Sequence, residues 1–173
     1  MIFELIATVV SGVAAGGIAA LLQRLTRGAL PRWIVPVAAG AAMIAFAIWS
    51  EYSWFDRTSG ALPENFVIVS QSESSAPWRP WTYLWPMIDR FAAVDTGSVG
   101  TNEAFPDMRI AETYFWGRWA SVSRVTVAFD CAGHRRAPMV EGVGIAEDGG
   151  IVGAEWVDVP ADDPSLVAVC AGG

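Results

Sequence analysis

The sequence predicts a two-helix transmembrane hairpin followed by a small α+β domain, mainly antiparallel β, tied by one disulfide. Three observations lead there: an apolar excess confined to residues 1–50, a run of short β-branched segments after Arg90, and a single pair of cysteines in the same C-terminal stretch. Of 173 residues 53% are apolar, and the mean hydropathy is positive, unusual for a soluble domain of this length.

The apolar runs span about residues 2–22 and 33–49. A helix rises ~1.5 Å per residue, so each approaches or crosses a hydrocarbon core of ~30 Å. A cleaved signal peptide would require a basic n-region, whereas the only early charge is Glu4. Arg24, Arg27 and Arg32 lie between the helices, and short arginine-rich loops stay cytoplasmic. Both termini are therefore expected outside a bacterial inner membrane, in the periplasm. Trp33 at one end and Trp49, Tyr52 and Trp54 at the other would form the two aromatic belts. Gly12, Gly16 and Ala20 repeat every four residues in the first helix, as do Ala38 and Ala42, with Ala41 and Ala45 beside them, in the second. Small residues on one stripe let helix backbones approach closely in lipid. The stripe serves packing within the hairpin, or docking onto another membrane protein. Helices without an intramembrane charge beyond Glu4 have no ion or proton path of their own.

Residues 51–89 are expected to form a juxtamembrane connection holding one strand, FVIV, and the segment SSAPWRPWTYLWP. Pro77, Pro80 and Pro86 forbid a long helix and remove ladder donors from a central strand. Trp78, Arg79, Trp81, Tyr83 and Trp85 have three possible roles: capping the core, resting among lipid headgroups, or forming a binding surface rich in the residue types that dominate interface hot spots.

From residue 90 to 173 the pattern is β-like. RFAAV, MRIAETYFW, SVSRVTVAF, the RRAPMVEGVGIA region and IVGAEWVDV are separated by Gly, Asp, Asn and Pro, with EDGG before Ile151 as a tight-turn signal. In SVSRVTVAF, Val122, Arg124, Thr126 and Ala128 alternate with Ser123, Val125, Val127 and Phe129, as in a half-exposed antiparallel strand. In the tail, Asp163 as N-cap and Pro164 at the first helical position start a short helix, with a final strand as the alternative. Cys131 and Cys170, an even pair in an oxidising compartment, are expected to form a structural disulfide.

The run DCAGHRRAPMVEGVGIAEDGGIVGAEWVDVPADDPSLVAVC resembles the C-terminal half of surface-adhesin protein E-like domains, through Cys131, Gly149, Trp156, Pro160 and Cys170. The resemblance implies a small antiparallel sheet with a packed C-terminal helix, and a cell-envelope binding module as one function. Such adhesins are carried to the cell surface, and a two-helix anchor departs from that pattern.

AAVDTGS (Ala92–Ser98) resembles the active-site loop of aspartic proteases. With one copy, Asp95 would pair with a second subunit as in the retropepsin-like family, and Ile151–Gly153 would stand for the later apolar-apolar-Gly element. No glycine-rich flap lies between them, and Asp-Thr-Gly-Ser is also ordinary turn chemistry. His134, the only histidine, sits beside Arg135 and Arg136 and lacks the partners of a metal site. No metal, haem or phosphate-loop signature occurs, so no cofactor is expected.

Setting aside Glu4 and the three loop arginines leaves 17 acidic against 8 basic side chains, a net charge of −9. That opposes nucleic acid and anionic surfaces as partners. The expectation is a non-enzymatic accessory or stabilising subunit of a larger membrane assembly, of respiratory or photosynthetic type, whose partners are the bilayer and other integral membrane subunits. A membrane-anchored dimeric aspartic protease using Asp95 and an adhesin-like module are the alternatives.

Overall fold

The structure, a computed structural model, describes residues 2–27, 29–146 and 149–171. They fall into two compact units that part between Arg57 and Thr58.

The first unit is a helical hairpin, with α1 over Ile2–Leu25, α2 over Ile34–Tyr52 and the start of a short α3 over Trp54–Ser59. Both long helices are long and apolar enough to cross a membrane. Each extends about one turn beyond its apolar run, because Gln23, Arg24, Ser50 and Glu51 are polar without being helix breakers. Gly12 and Gly16 are buried against α2. A Cβ on Gly12 would stand 2.3 Å from Met43 Cε, and one on Gly16 would stand 3.4 Å from Ala39 Cβ. The glycines therefore set how closely the helices pack. Ala20, Ala38 and Ala42 are half-buried, whereas Ala41 and Ala45 face outward. At the open end of the hairpin Ser50, 5% exposed, donates to Glu4 Oε1 at 3.2 Å, so the one acidic group of α1 is answered from α2.

The second unit is a curled antiparallel sheet in the order β1-β2-β3-β4-β5-β8. Its strands are β1 Phe66–Ser74, β2 Met87–Asn102, β3 Phe105–Gly117, β4 Ala120–Asp130, β5 Arg135–Pro138 and β8 Val157–Asp158. The two-residue strands β6, Gly144–Ile145, and β7, Ile151–Val152, pair with each other, and α4, Pro164–Cys170, closes the chain. The β unit thus starts well before residue 90. β1, which contains FVIV, pairs with β2 from Phe66↔Asp95 to Ser74↔Met87 and belongs to the sheet rather than to a connection.

One face of the sheet carries the core: Val94, Ala111 and Phe129 beneath Leu166 and Val169 of α4. Asp163 caps α4, its Oδ1 accepting from Ser165 N at 3.0 Å and Leu166 N at 3.2 Å, with Pro164 at the first position. The far end of α4 is held by the Cys131–Cys170 disulfide, with Cα atoms 5.9 Å apart, and by Arg109, whose Nη1 donates to Val169 O at 2.8 Å. The opposite face carries an aromatic cluster in which Phe91 and Trp116 stack with centroids 5.0 Å apart, and Phe66 meets Tyr114 edge-on at 5.3 Å. Phe91 to Val94 are all buried and show no alternation.

β4 departs from the expected half-exposed alternation. Ala120–Arg124 are exposed on both faces, while Ala128–Asp130 are buried on both. The cause is strand length, since β5 pairs only with Val127–Asp130 and leaves Ala120–Val125 as an open edge of the sheet. Of the EDGG turn, Glu147 and Asp148 lie outside the described residues. Gly149 has φ +86°, a conformation that favours glycine, and its carbonyl accepts from Asn102 Nδ2 at 3.2 Å.

Candidate functional site: an aromatic loop and a trough on the sheet

The loop between β1 and β2 is built on one buried side chain. Thr82, 1% exposed, accepts from Ala76 N at 3.0 Å and donates to Arg79 O at 2.7 Å, which folds Pro80–Tyr83 into a 3-10 turn. Around that pin the rings point outward. Trp78 is 77% exposed, Tyr83 62% and Trp85 63%, with Leu84 at 74% beside them. Trp81 is less open at 40%, and Arg79 is half-buried, with Nη1 3.7 Å from Met87 Sδ. Core capping is therefore not what these tryptophans do. Trp78, Tyr83, Leu84 and Trp85 are displayed around a polar pin, and burying such a side chain would contribute roughly 1.5–3 kcal/mol.

Asp95 does not sit at the tip of an open loop. It lies inside β2 at a wide irregularity, where the pairing jumps from Asp95↔Glu112 to Gly100↔Ile110. Its Oδ1 accepts from Asn65 Nδ2 and from Gly97 N, and Ser98 Oγ donates to Asp95 O at 2.8 Å and accepts from Glu112 N at 2.9 Å. Asp, Gly and Ser thus shape the bulge, in the local roles their types favour. Ile151 and Val152 form β7 against β6, in the small separate sheet, while Asp95 belongs to the large one.

His134 is exposed, with φ +48°, at the turn before β5. The neighbouring arginines serve the fold. Arg135 pairs with Asp130 and lies 5.4 Å over the Trp156 ring, and Arg136 Nη1 donates to Ser165 Oγ at 2.9 Å. Burial alone would push the Asp130 carboxyl up, but Arg135 and the Gly133 N–H outweigh it and hold it below the ordinary value. Asp163 is lowered in the same way: burial opposes ionisation, and the Ser165 hydroxyl, the Leu166 N–H and Arg136 overcome it. Among the described residues no three His, Cys, Asp or Glu side chains gather as a metal site.

A feature with no single-segment signature is a trough on the core face, in the part that α4 leaves uncovered. Two concavities of about 690 and 380 Å³ share Ser70, Ala92 and Phe115. The larger is ringed by Ser72, Arg90, Arg118, Trp119, Ser121 and Ser123 near the β3–β4 hairpin. The smaller runs toward α4 over Val69, Thr113, Val127, Phe129, Pro138 and Val157. Arg118 lies 4.6 Å over the Trp119 ring, and Phe115, 43% exposed, stands at the junction. The alternating positions Ala92, Phe115 and Ser123 were readable on their strands; the register that aligns them was not.

Comparison with protein-family models, with curated proteins and with solved structures finds no match, so the likeness of residues 131–170 to adhesin-type domains rests on the residues named above.

Proposed function

We propose that the chain is a non-enzymatic accessory subunit of a bacterial inner-membrane assembly. In this reading the hairpin spans the bilayer with Arg24, Arg27 and Arg32 in the cytoplasm, and the disulfide-tied β unit lies in the periplasm. The observation that carries the reading is the loop Trp78–Trp85: four large apolar side chains displayed around a buried threonine pin, in a β unit otherwise rich in acidic surface. An exposed cluster of this composition marks an interaction surface on a protein. The outward small residues of α2, Ala41 and Ala45, offer a second contact within the membrane. No step of a reaction is needed to account for these features.

The test is extraction of the tagged full chain in a mild detergent, with mass spectrometry of what co-purifies in fixed ratio. A stoichiometric integral membrane partner, lost on Trp78→Ala with Trp85→Ala, supports the reading. A chain recovered alone, or only as its own dimer, sinks it.

A further inference from the structure

We propose that the open edge of β4, together with the trough beside it, binds an extended segment of another polypeptide, added as an antiparallel strand in line with β5 and carrying bulky apolar side chains at alternate positions. This inference is independent of the accessory-subunit reading, because it uses only the β unit.

Backbone pairing along β4 stops partway. β5 occupies Val127–Asp130, and just beyond it Met139 N donates to Thr126 O at 2.8 Å. The chain then leaves through a tight turn in which Val140 N donates to Pro138 O at 3.1 Å. In an antiparallel strand the N–H and C=O of one residue point to the same side, and the sides alternate along the chain. Since Thr126 O faces the β5 side, Arg124 and Val122 present their backbone groups there too, and among the described residues no strand or turn pairs with them on that side. Ala120–Arg124 are exposed, so the edge is open to solvent. Common defences against strand pairing are missing from it: Val122–Thr126 contains no proline, and its one charge, Arg124, is turned back over the sheet to Glu112 of β3 at 3.4 Å. The other edges are blunted, β1 by irregularities at Ile68/Ser70 and Ser72/Glu73, and β8 by a length of two residues. An irregularity at Phe115/Gly117 limits the open edge at its far end, leaving Val122–Thr126, about the length of an ordinary strand.

The face beside the edge decides the occupant. Ser123 and Val125 lie on the same face as Ala92, Thr113 and Phe115, through the pairs Ala92↔Phe115, Phe115↔Ser123 and Thr113↔Val125. That is the face of the trough. Ser123 is small, and Phe115 next to it stays 43% exposed. A large side chain added opposite Ser123 or Val125 would therefore reach over Phe115 and the 380 Å³ concavity, beside Pro138, which stands opposite Val127. Strand addition takes its affinity from main-chain hydrogen bonds and its specificity from pockets that accept alternate side chains, and both halves meet here. A second copy of this chain fits poorly. β4 paired with itself would set serine or valine over the trough, and it would bring together two β regions of net charge −9. The fit is to a segment of a different chain with a bulky apolar residue at every second position.

The test uses the full chain in phospholipid nanodiscs and a short fluorescein-labelled peptide that alternates threonine with phenylalanine, read by fluorescence anisotropy against empty nanodiscs. With phenylalanine over the trough, the threonine N–H groups face β4 and the phenylalanine N–H groups face away. N-methylation of the threonine amides should therefore weaken binding about tenfold or more, whereas N-methylation of the phenylalanine amides should change it less than about twofold. Arg124→Pro removes an edge donor at an exposed position where a strand tolerates proline, and should also weaken binding about tenfold. Arg124→Thr removes the same charge but keeps the N–H, and should stay within about twofold of the wild type. Far-ultraviolet circular dichroism and the intact disulfide show that both variants keep the fold. Absence of saturable binding at millimolar peptide, equal effects of the two methylation patterns, or binding indifferent to Arg124→Pro overturns the edge as a site. Undiminished binding of a peptide with alanine in place of phenylalanine overturns the part given to the trough. Spontaneous cross-linking of Ser123→Cys chains to one another in detergent, without peptide, overturns the foreign segment in favour of a second copy.

Discussion

Replacing both Cys131 and Cys170 by Ala isolates the contribution of the disulfide to α4. The bridge closes a loop of sequence separation 39, and in the chain-entropy model such a cross-link stabilises by about 4 kcal/mol. Two further facts make α4 depend on it. A seven-residue helix is too short to hold helical structure in water by itself, and its docking rests on Leu166 and Val169 packed over Val94, Ala111 and Phe129. For a domain of this size, about 4 kcal/mol corresponds to a loss of about 15 °C in Tm. The assay is thermal unfolding of the nanodisc-held chain followed by near-ultraviolet circular dichroism of the β unit, with hydrogen exchange of the α4 amides alongside. The double variant should melt about 15 °C lower, with α4 amides losing protection before those of β2 and β3. A shift below about 3 °C, with the wild-type bridge verified as oxidised, would refute the reasoning, because Arg109 and the apolar contacts would then suffice to hold the helix.

The remaining expectations follow from the same contacts. Asp130 and Asp163 both have folded-state pKa values below the ordinary carboxyl range, so their stabilisation is complete above about pH 4 and falls away as pH drops through the folded-state values. Asp130→Asn together with Asp163→Asn should flatten the acid limb of a stability–pH curve measured by urea unfolding, and an unchanged limb counts against these ion pairs. Gly12→Ala should push α1 away from α2, since its Cβ would stand 2.3 Å from Met43 Cε and 2.8 Å from Met43 Cγ, and Gly16→Leu should do the same against Val35 and Ala39; loss of cysteine cross-linking across the hairpin in both variants reads this out. Asp95→Asn should lower β-unit stability by about 1 kcal/mol, because the carboxylate accepts from Asn65 and Gly97 N at the bulge. Proteolysis abolished by that same substitution would instead revive the protease alternative.

Composition and local pattern determined a good deal about this protein. The apolar runs specify α1 and α2, since length and hydropathy are properties of a segment. Asp163–Pro164 specifies the start of α4, since capping is settled within one turn. The cysteine pair was also legible, because only two cysteines exist and both fall in the same half of the chain. Tertiary structure decided what depends on register and on coverage of a face. It drew β1 into the sheet, and it placed Asp95 in a bulge where the types Asp-Thr-Gly-Ser alone permit a turn. It turned Trp78 and Trp85 outward, because Thr82 rather than a ring is the buried anchor of their loop, and burial of an aromatic is set by what packs over it. The trough belongs wholly to this second class. Ser70, Ala92, Phe115 and Val127 come from four strands, and only their hydrogen-bonded register, together with a helix too short to cover them, makes them neighbours.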